Sequence, residues 1–286
     1  MNKSSGFSGA RVRGALAGLV LAGASFVSAA DDGRGSPYLA LGDSVAFGYI
    51  TQDGYAYVNP GNFLGYPEWL GVGLRMKVHN SACPGETTGS FLSATAPDFG
   101  CRAFKSGAPL HVAYSGTQLD DAVGFLLGHR DTRLVTIALG ANDLFLLQYS
   151  CGGDPQCIQA GLQGVLTNAS LNMGTILGKL RATGYNGPIV LVGYYSLDYT
   201  NPQDNLFSQS LNAAMASAGA AYGAIMADSF TEFQKAASTA SAGGQTCKAG
   251  LLNVDPQNVG LCDVHPSQTG QRLLADGVAD ALRAGR

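Results

Sequence analysis

Apolar residues along this chain follow two alternating rhythms. Short, nearly continuous apolar runs at 38–41, 134–139, 189–194 and 224–227 end in Gly or turn residues, the signature of strands buried on both faces; a less apolar run at 77–82 reads as one more strand. Between them lie longer segments with helical spacing. The pattern predicts helices over 67–76, with Pro67 in the first turn; over 118–128, with Leu119, Val123, Leu126 and Leu127 on one face; and over 155–183, stopped by Gly184. Two more are predicted at 204–221 and 267–284. Strands alternating with helices require right-handed crossovers, which give a parallel sheet with helices on both faces, a three-layer α/β/α sandwich. In such a fold the functional loops gather at the carboxyl ends of the strands. The stretch 236–244, rich in Ala, Ser and Gly, opens a long connection to Cys262.

The first thirty residues do not belong to that rhythm. Lys3, Arg11 and Arg13 precede an apolar run at 14–27, which is short for a bilayer, and Val27-Ser28-Ala29 or Ser28-Ala29-Ala30 fits signal peptidase. The expectation is a signal peptide at 1–30, a single domain at 31–286, and a secreted or periplasmic protein without stable membrane insertion.

Removing the signal sharpens the charge balance. Three of the 17 basic residues and no acidic ones lie in it, which leaves 14 against 20 and a net charge of −6. With 13% charged residues and no Lys/Arg cluster, the chain has no electrostatic footprint for nucleic acid. A small-molecule or lipid partner and a monomer are expected.

All six cysteines lie beyond the signal. An even number in an oxidising compartment favours disulfides, and their order suggests Cys83 with Cys101, Cys151 with Cys157, and Cys247 with Cys262, one of fifteen possible pairings. No Cys-x-x-Cys occurs and no histidines cluster beside them, so a metal site is not expected.

The chemistry concentrates at the strand ends. Gly42-Asp43-Ser44 follows the first predicted strand, Cys83-Pro84-Gly85-Glu86 the second and Gly140-Ala141-Asn142-Asp143 the third; Asp263-Val264-His265-Pro266 precedes the last helix. A serine needs a base to become a nucleophile. Of four histidines, His79 falls in a strand, His111 in a loop without a motif and His129 at a helix end, whereas His265 has an acid nearby and a Pro beside it. The backbone N–H groups of Ser44 and Gly85 and the amide of Asn142 are candidate donors to an oxyanion. Taken singly, Ser44 also reads as a turn or cap, Gly85 as a turn and Asn142 as a helix cap.

These four blocks, spread over 42–266, resemble the consensus blocks of the SGNH hydrolases, also called GDSL esterases and lipases. The resemblance implies a flavodoxin-like parallel sheet, ester hydrolysis through an acyl-enzyme on Ser44, His265 as base, an oxyanion hole of Ser44, Gly85 and Asn142, and no cofactor. Around Ser44 the Gly-x-Ser-x-Gly elbow of ordinary α/β-hydrolases is missing. One position departs from the family pattern: its catalytic Asp stands three residues before the His, where this chain has Cys262, and Asp263 is only two before. Some secreted members with three disulfides, a group that this chain resembles, use a main-chain carbonyl two residues before the His. The expectation is therefore a Ser44–His265 dyad steadied by the Asp263 carbonyl, with an Asp263 carboxylate triad as the alternative.

Substrate identity is less legible. Tyr49, Tyr55, Tyr57, Phe63, Tyr66 and Trp69 crowd the segment after Ser44 and either line an acyl groove or pack as core. A lipid or fatty-acyl ester is the first expectation. A carbohydrate acetyl ester, acyl transfer, or a catalytically silent binding protein are the alternatives.

Overall fold

The computed structural model describes residues 35–51, 57–258 and 260–285; the predicted signal peptide at 1–30 and Tyr55 lie outside them. Five parallel strands make the central sheet: β1 (Pro37–Gly42), β2 (Lys77–Asn80), β3 (Leu134–Ala138), β4 (Ile189–Val192) and β5 (Ile225–Ala227), in the order β2-β1-β3-β4-β5. Tyr38 through Leu41 are fully buried, as a central strand covered on both faces requires.

Helices cover both faces. On one, α2 (Tyr66–Leu74) packs against α10 (Gln268–Ala284), beside α9 (Ser229–Ala237); on the other, α5 (Gln118–Gly128), α7 (Pro155–Ala182) and α8 (Pro202–Ala220) pack side by side. The fold is the expected three-layer α/β/α sandwich, and the five predicted strands and five predicted helices are all present, with ends shifted by a residue or two. Several short elements escaped the pattern: α1 (Ser44–Phe47), α3 (Thr88–Leu92), α4 (Cys101–Gly107), α6 (Ala141–Ser150), and a hairpin of β6 (Leu252–Val254) with β7 (Cys262–Pro266). His265 belongs to β7, and Ser267, the first residue of the predicted helix, caps α10, its side chain accepting from the Gly270 N–H.

The strand order places the site. From β1 the chain crosses to β2 on one side and then returns to β3 on the other, so the crevice beyond the carboxyl ends of β1 and β3 is a topological switch point. Ser44, Gly85 and Asn142 follow β1, β2 and β3 there. Among the described residues, no helix is long and apolar enough to cross a membrane.

All three expected disulfides form. Cys83–Cys101 ties the loop after β2 to α4, Cys151–Cys157 joins the end of α6 to α7, and Cys247–Cys262 fastens the long connection to β7. Cys83 and Cys101 lie beside Glu86 in a cluster with metal-ligand proximity, but sulfurs joined to each other cannot ligate an ion.

Candidate active site

The Ser44 turn is set by the residue two before it. Gly42 has φ +137°, and a Cβ there would lie 2.0 Å from the Ala138 carbonyl oxygen of β3. That oxygen accepts the Asp43 N–H at 3.0 Å, so the chain turns tightly against the neighbouring strand where only glycine fits. Asp43 then caps α1, its Oδ1 accepting from the Val45 N–H at 2.9 Å. Ser44 is left at the first position of the helix, and its own N–H donates to no described acceptor.

Gln118, the first residue of α5, grips the same turn from below. Its Oε1 accepts the Gly42 N–H at 2.6 Å, while its Nε2 donates to the Gly42 carbonyl at 2.9 Å and to Glu86 Oε2 at 3.1 Å. Glu86 also accepts from the Ser90 hydroxyl, and burial pushes its carboxyl up to about 7. Through this buried pair the turn after β1 is tied to the loop after β2.

That second loop is tied in turn to α6. Asn142 Nδ2 donates to the Glu86 carbonyl at 2.9 Å, which uses one of its two amide hydrogens and leaves the other for a ligand. Next to it, Asp143 accepts from the Thr88 N–H at 2.9 Å and the Thr88 hydroxyl at 2.6 Å. Gly85 precedes Glu86 with φ +85°, and a Cβ there would lie 2.6 Å from the Phe99 carbonyl oxygen. Its N–H, like that of Ser44, has no described acceptor.

His265 comes from the opposite side, on β7. Its Nε2 lies 3.0 Å from Ser44 Oγ, and Tyr49 packs against the ring at 4.7 Å between centroids. Asp263 and His265 are two apart on a strand and so share a face. Asp263 Oδ1 accepts the His265 N–H at 2.8 Å, while Oδ2 accepts from the Thr51 hydroxyl and stands 3.4 Å from Nδ1. Nδ1 itself is buried and makes no hydrogen bond among the described residues, to the Asp263 carbonyl or to the carboxylate. Burial pushes the Asp263 carboxyl up, but its contacts with His265 and Thr51 outweigh this and hold it below the ordinary value.

Two tyrosines after β4 brace the halves together. Tyr194 donates to Asp43 Oδ2 at 2.5 Å, and Tyr195 donates to the Val264 carbonyl at 2.6 Å. Asn212 of α8 fixes them by bonding both the N–H and the carbonyl of Tyr194, at 2.7 and 2.8 Å. Asp43 is buried, which raises its carboxyl to about 6 even though Tyr194, Val45 and His265 pull it down.

A pocket of about 280 Å³ opens here, lined by Ser44, His265 and Asn142 together with Tyr194, Tyr195 and side chains of α6 and α8. Gly85 is not part of its lining. Nor, among the described residues, are the aromatic side chains after Ser44: Phe63 and Tyr66 are core, while Tyr57 stacks on Tyr49, which packs against the His265 ring. The other three histidines have structural partners: His79 faces Asp121 at 3.0 Å, His111 donates to the Phe47 carbonyl and His129 to the Phe125 carbonyl, each at 3.0 Å.

Sequence reasoning missed Gln118, Glu86, Tyr194 and Tyr195. For the tyrosines a signal existed, since the pair ends a predicted strand on the site's side of the sheet. Gln118 opens a predicted helix and gives no such sign.

A hydroxyl at hydrogen-bond distance from an imidazole, under unused N–H donors, can activate the oxygen and hold an oxyanion. Comparison of the fold with solved structures finds relatives over nearly the whole domain. Axe2, an acetylxylan esterase from Geobacillus stearothermophilus, superposes with a TM-score of 0.53 at 16% identity, covering 87% of this chain and 95% of its own. A GDSL-like lipase from Parabacteroides merdae, itself described as putative, gives 0.53 at 15% identity with the same coverage. An α/β hydrolase from the metagenome of Lake Arreo, Spain, gives 0.52 at 12%, covering 88% and 97%. At these identities the likeness speaks for the fold. Among curated proteins no match is found. The sequence matches the GDSL-like lipase/acylhydrolase family over residues 40–273, a span that runs from β1 into α10 and takes in every block of the site. The chain therefore belongs to that family and is an ester hydrolase.

Proposed function

We propose that the protein is a secreted serine esterase that hydrolyses fatty-acyl carboxylic esters through an acyl-enzyme on Ser44. The observation that carries the reading is the 3.0 Å approach of His265 Nε2 to Ser44 Oγ. His265 takes the Ser44 proton as the oxygen attacks the ester carbonyl, and the N–H groups of Ser44 and Gly85 and the free hydrogen of the Asn142 amide hold the oxyanion. The carbonyl–alkoxy bond then breaks, and the alcohol leaves with the proton from His265. Water, deprotonated by the same imidazole, releases the acid and restores Ser44. Across Nδ1, the Asp263 carboxylate stabilises the imidazolium that forms in each half of the cycle; at 3.4 Å it does so by charge rather than by a hydrogen bond.

A fatty-acyl substrate is favoured over a carbohydrate acetyl ester because Leu144, Phe145, Leu197 and Phe207 make the pocket walls largely apolar. Export through a signal at 1–30, followed by one domain at 31–286, agrees with three disulfides, which persist in oxidising compartments. The test is Ser44→Ala assayed with p-nitrophenyl esters and a phospholipid, alongside fluorophosphonate labelling of the wild type. Loss of turnover with an unchanged melting temperature, and a label on Ser44, are expected. Turnover that survives the substitution would end the assignment.

A further inference from the structure

The pocket has the form of a cleft between two helices. Leu144, Phe145 and Gln148 line it from α6, and Asp204, Phe207 and Leu211 from α8. Within each set the spacings are those of one helix face, so two matching faces oppose each other across the space. The cleft also has a direction. Asn142, at the start of α6, lines the pocket with Ser44, and an added Cβ on Gly140 would lie 3.0 Å from Leu211 Cδ1, which puts Leu211 at the start of α6 as well. Following α6 forward and α8 backward leads to Gln148 and Asp204, where apolar walls give way to polar side chains.

We propose that this cleft is the acyl site, that it takes the alkyl chain of a medium-length ester, and that Gln148 and Asp204 mark where a longer chain passes into water. The proposal rests on the Ser44 esterase reading and adds to it a place and a length. From the first turn of α6 to Gln148 is about 10 Å at the helical rise. A dry 150 Å³ cavity holds the six carbons of benzene, so by proportion 280 Å³ takes at most roughly eleven carbons, and the ~10 Å length limits an extended chain to about eight. An acetyl group would leave most of these walls facing water. The acyl rather than the alcohol part is assigned to the cleft because it stays bonded to Ser44 through both halves of the cycle, whereas the alcohol must depart between them.

The test is kcat/KM on p-nitrophenyl esters from acetate to palmitate, with a matched series of acetates of lengthening alcohols. Values should rise by up to about fourfold per methylene and level off near eight carbons. Phe207→Trp should lower the octanoate-to-acetate ratio at least tenfold; should it fail to fold, Phe207→Ala should shift the preference toward bulkier acyl chains. Asp204→Leu, which prolongs the apolar wall, should raise the dodecanoate-to-octanoate ratio. A preference for acetate, or one that follows the alcohol chain, with Ser44 still labelled by fluorophosphonate, overturns the acyl site and leaves the esterase standing. Absence of both turnover and labelling overturns the esterase reading and the acyl site with it.

Discussion

Asp263 and His265 share one face of β7, yet the carboxylate is spent elsewhere: Oδ1 holds the histidine's own N–H at 2.8 Å, Thr51 takes Oδ2, and Nδ1 stands 3.4 Å away without a hydrogen bond. The carboxylate thus shapes the loop and faces the imidazole without gripping it. Asp263→Asn should accordingly lower kcat/KM by on the order of tenfold, against about 10⁴-fold where a buried Asp fixes the histidine tautomer. Steady-state kinetics decide, and a loss near the larger figure would make Asp263 a full triad member.

The tyrosines give a second prediction. Tyr194→Phe removes a donor from the Asp43 carboxylate, and Tyr195→Phe removes one from the Val264 carbonyl. A hydrogen bond to a charged group contributes about 1.5–3 kcal/mol, so Tyr194→Phe should lower kcat tenfold or more, and Tyr195→Phe less. Both act on alignment. The fluorophosphonate labelling rate should fall with kcat while KM stays within about twofold; a loss confined to KM would place the tyrosines in substrate binding instead.

Glu86 makes stability depend on pH. Its carboxyl, raised to about 7 by burial, keeps its proton in the folded protein, whereas the unfolded chain releases it near 4.5. Between those values folding takes up a proton, so this contribution is complete below about pH 4.5 and is lost as pH rises through 7, about 3 kcal/mol in all. Glu86→Gln is neutral throughout and can still accept from Gln118. Relative to wild type, its melting temperature should therefore improve from pH 5 to pH 8. Glu68 and Asp43, buried and raised to about 7 and about 6, leave the variant a residual slope in the same direction. Parallel melting curves for the two proteins would show that Glu86 is ionised in the fold.

The third disulfide should matter more to the site than its position suggests. Cys247–Cys262 closes a loop of sequence separation 15 and ends three residues before His265. Replacing both cysteines by Ala should cost about 3 kcal/mol, read from urea melts. Ser44 labelling in the folded double variant should slow as well, because β7 carries the histidine. A stability loss with full labelling speed would confine the bridge to folding.

The sequence alone determined the layers and the motifs at the sheet's edge. Runs such as 134–139 and 189–194 are buried on both faces and carry their strand identity in local composition, and Gly42, Ser44, Asn142 and His265 stand in short motifs beside them. Elements shorter than two helical turns were illegible: the four residues of α1 have no periodicity to read, and the hairpin around His265 is held by a disulfide and by pairing across a long connection.

Tertiary structure alone decided what surrounds Ser44 and His265. Gln118 meets Gly42 across 76 positions and Tyr194 meets Asp43 across 151, because parallel crossovers bring remote strand ends to one edge. The same packing sent Phe63 and Tyr66 into the core and set α6 and α8 facing each other across the pocket. A residue's type announces what it can donate, accept or bury. Its partner is fixed only when the layers close, since burial and hydrogen bonding are satisfied between segments that no local pattern connects.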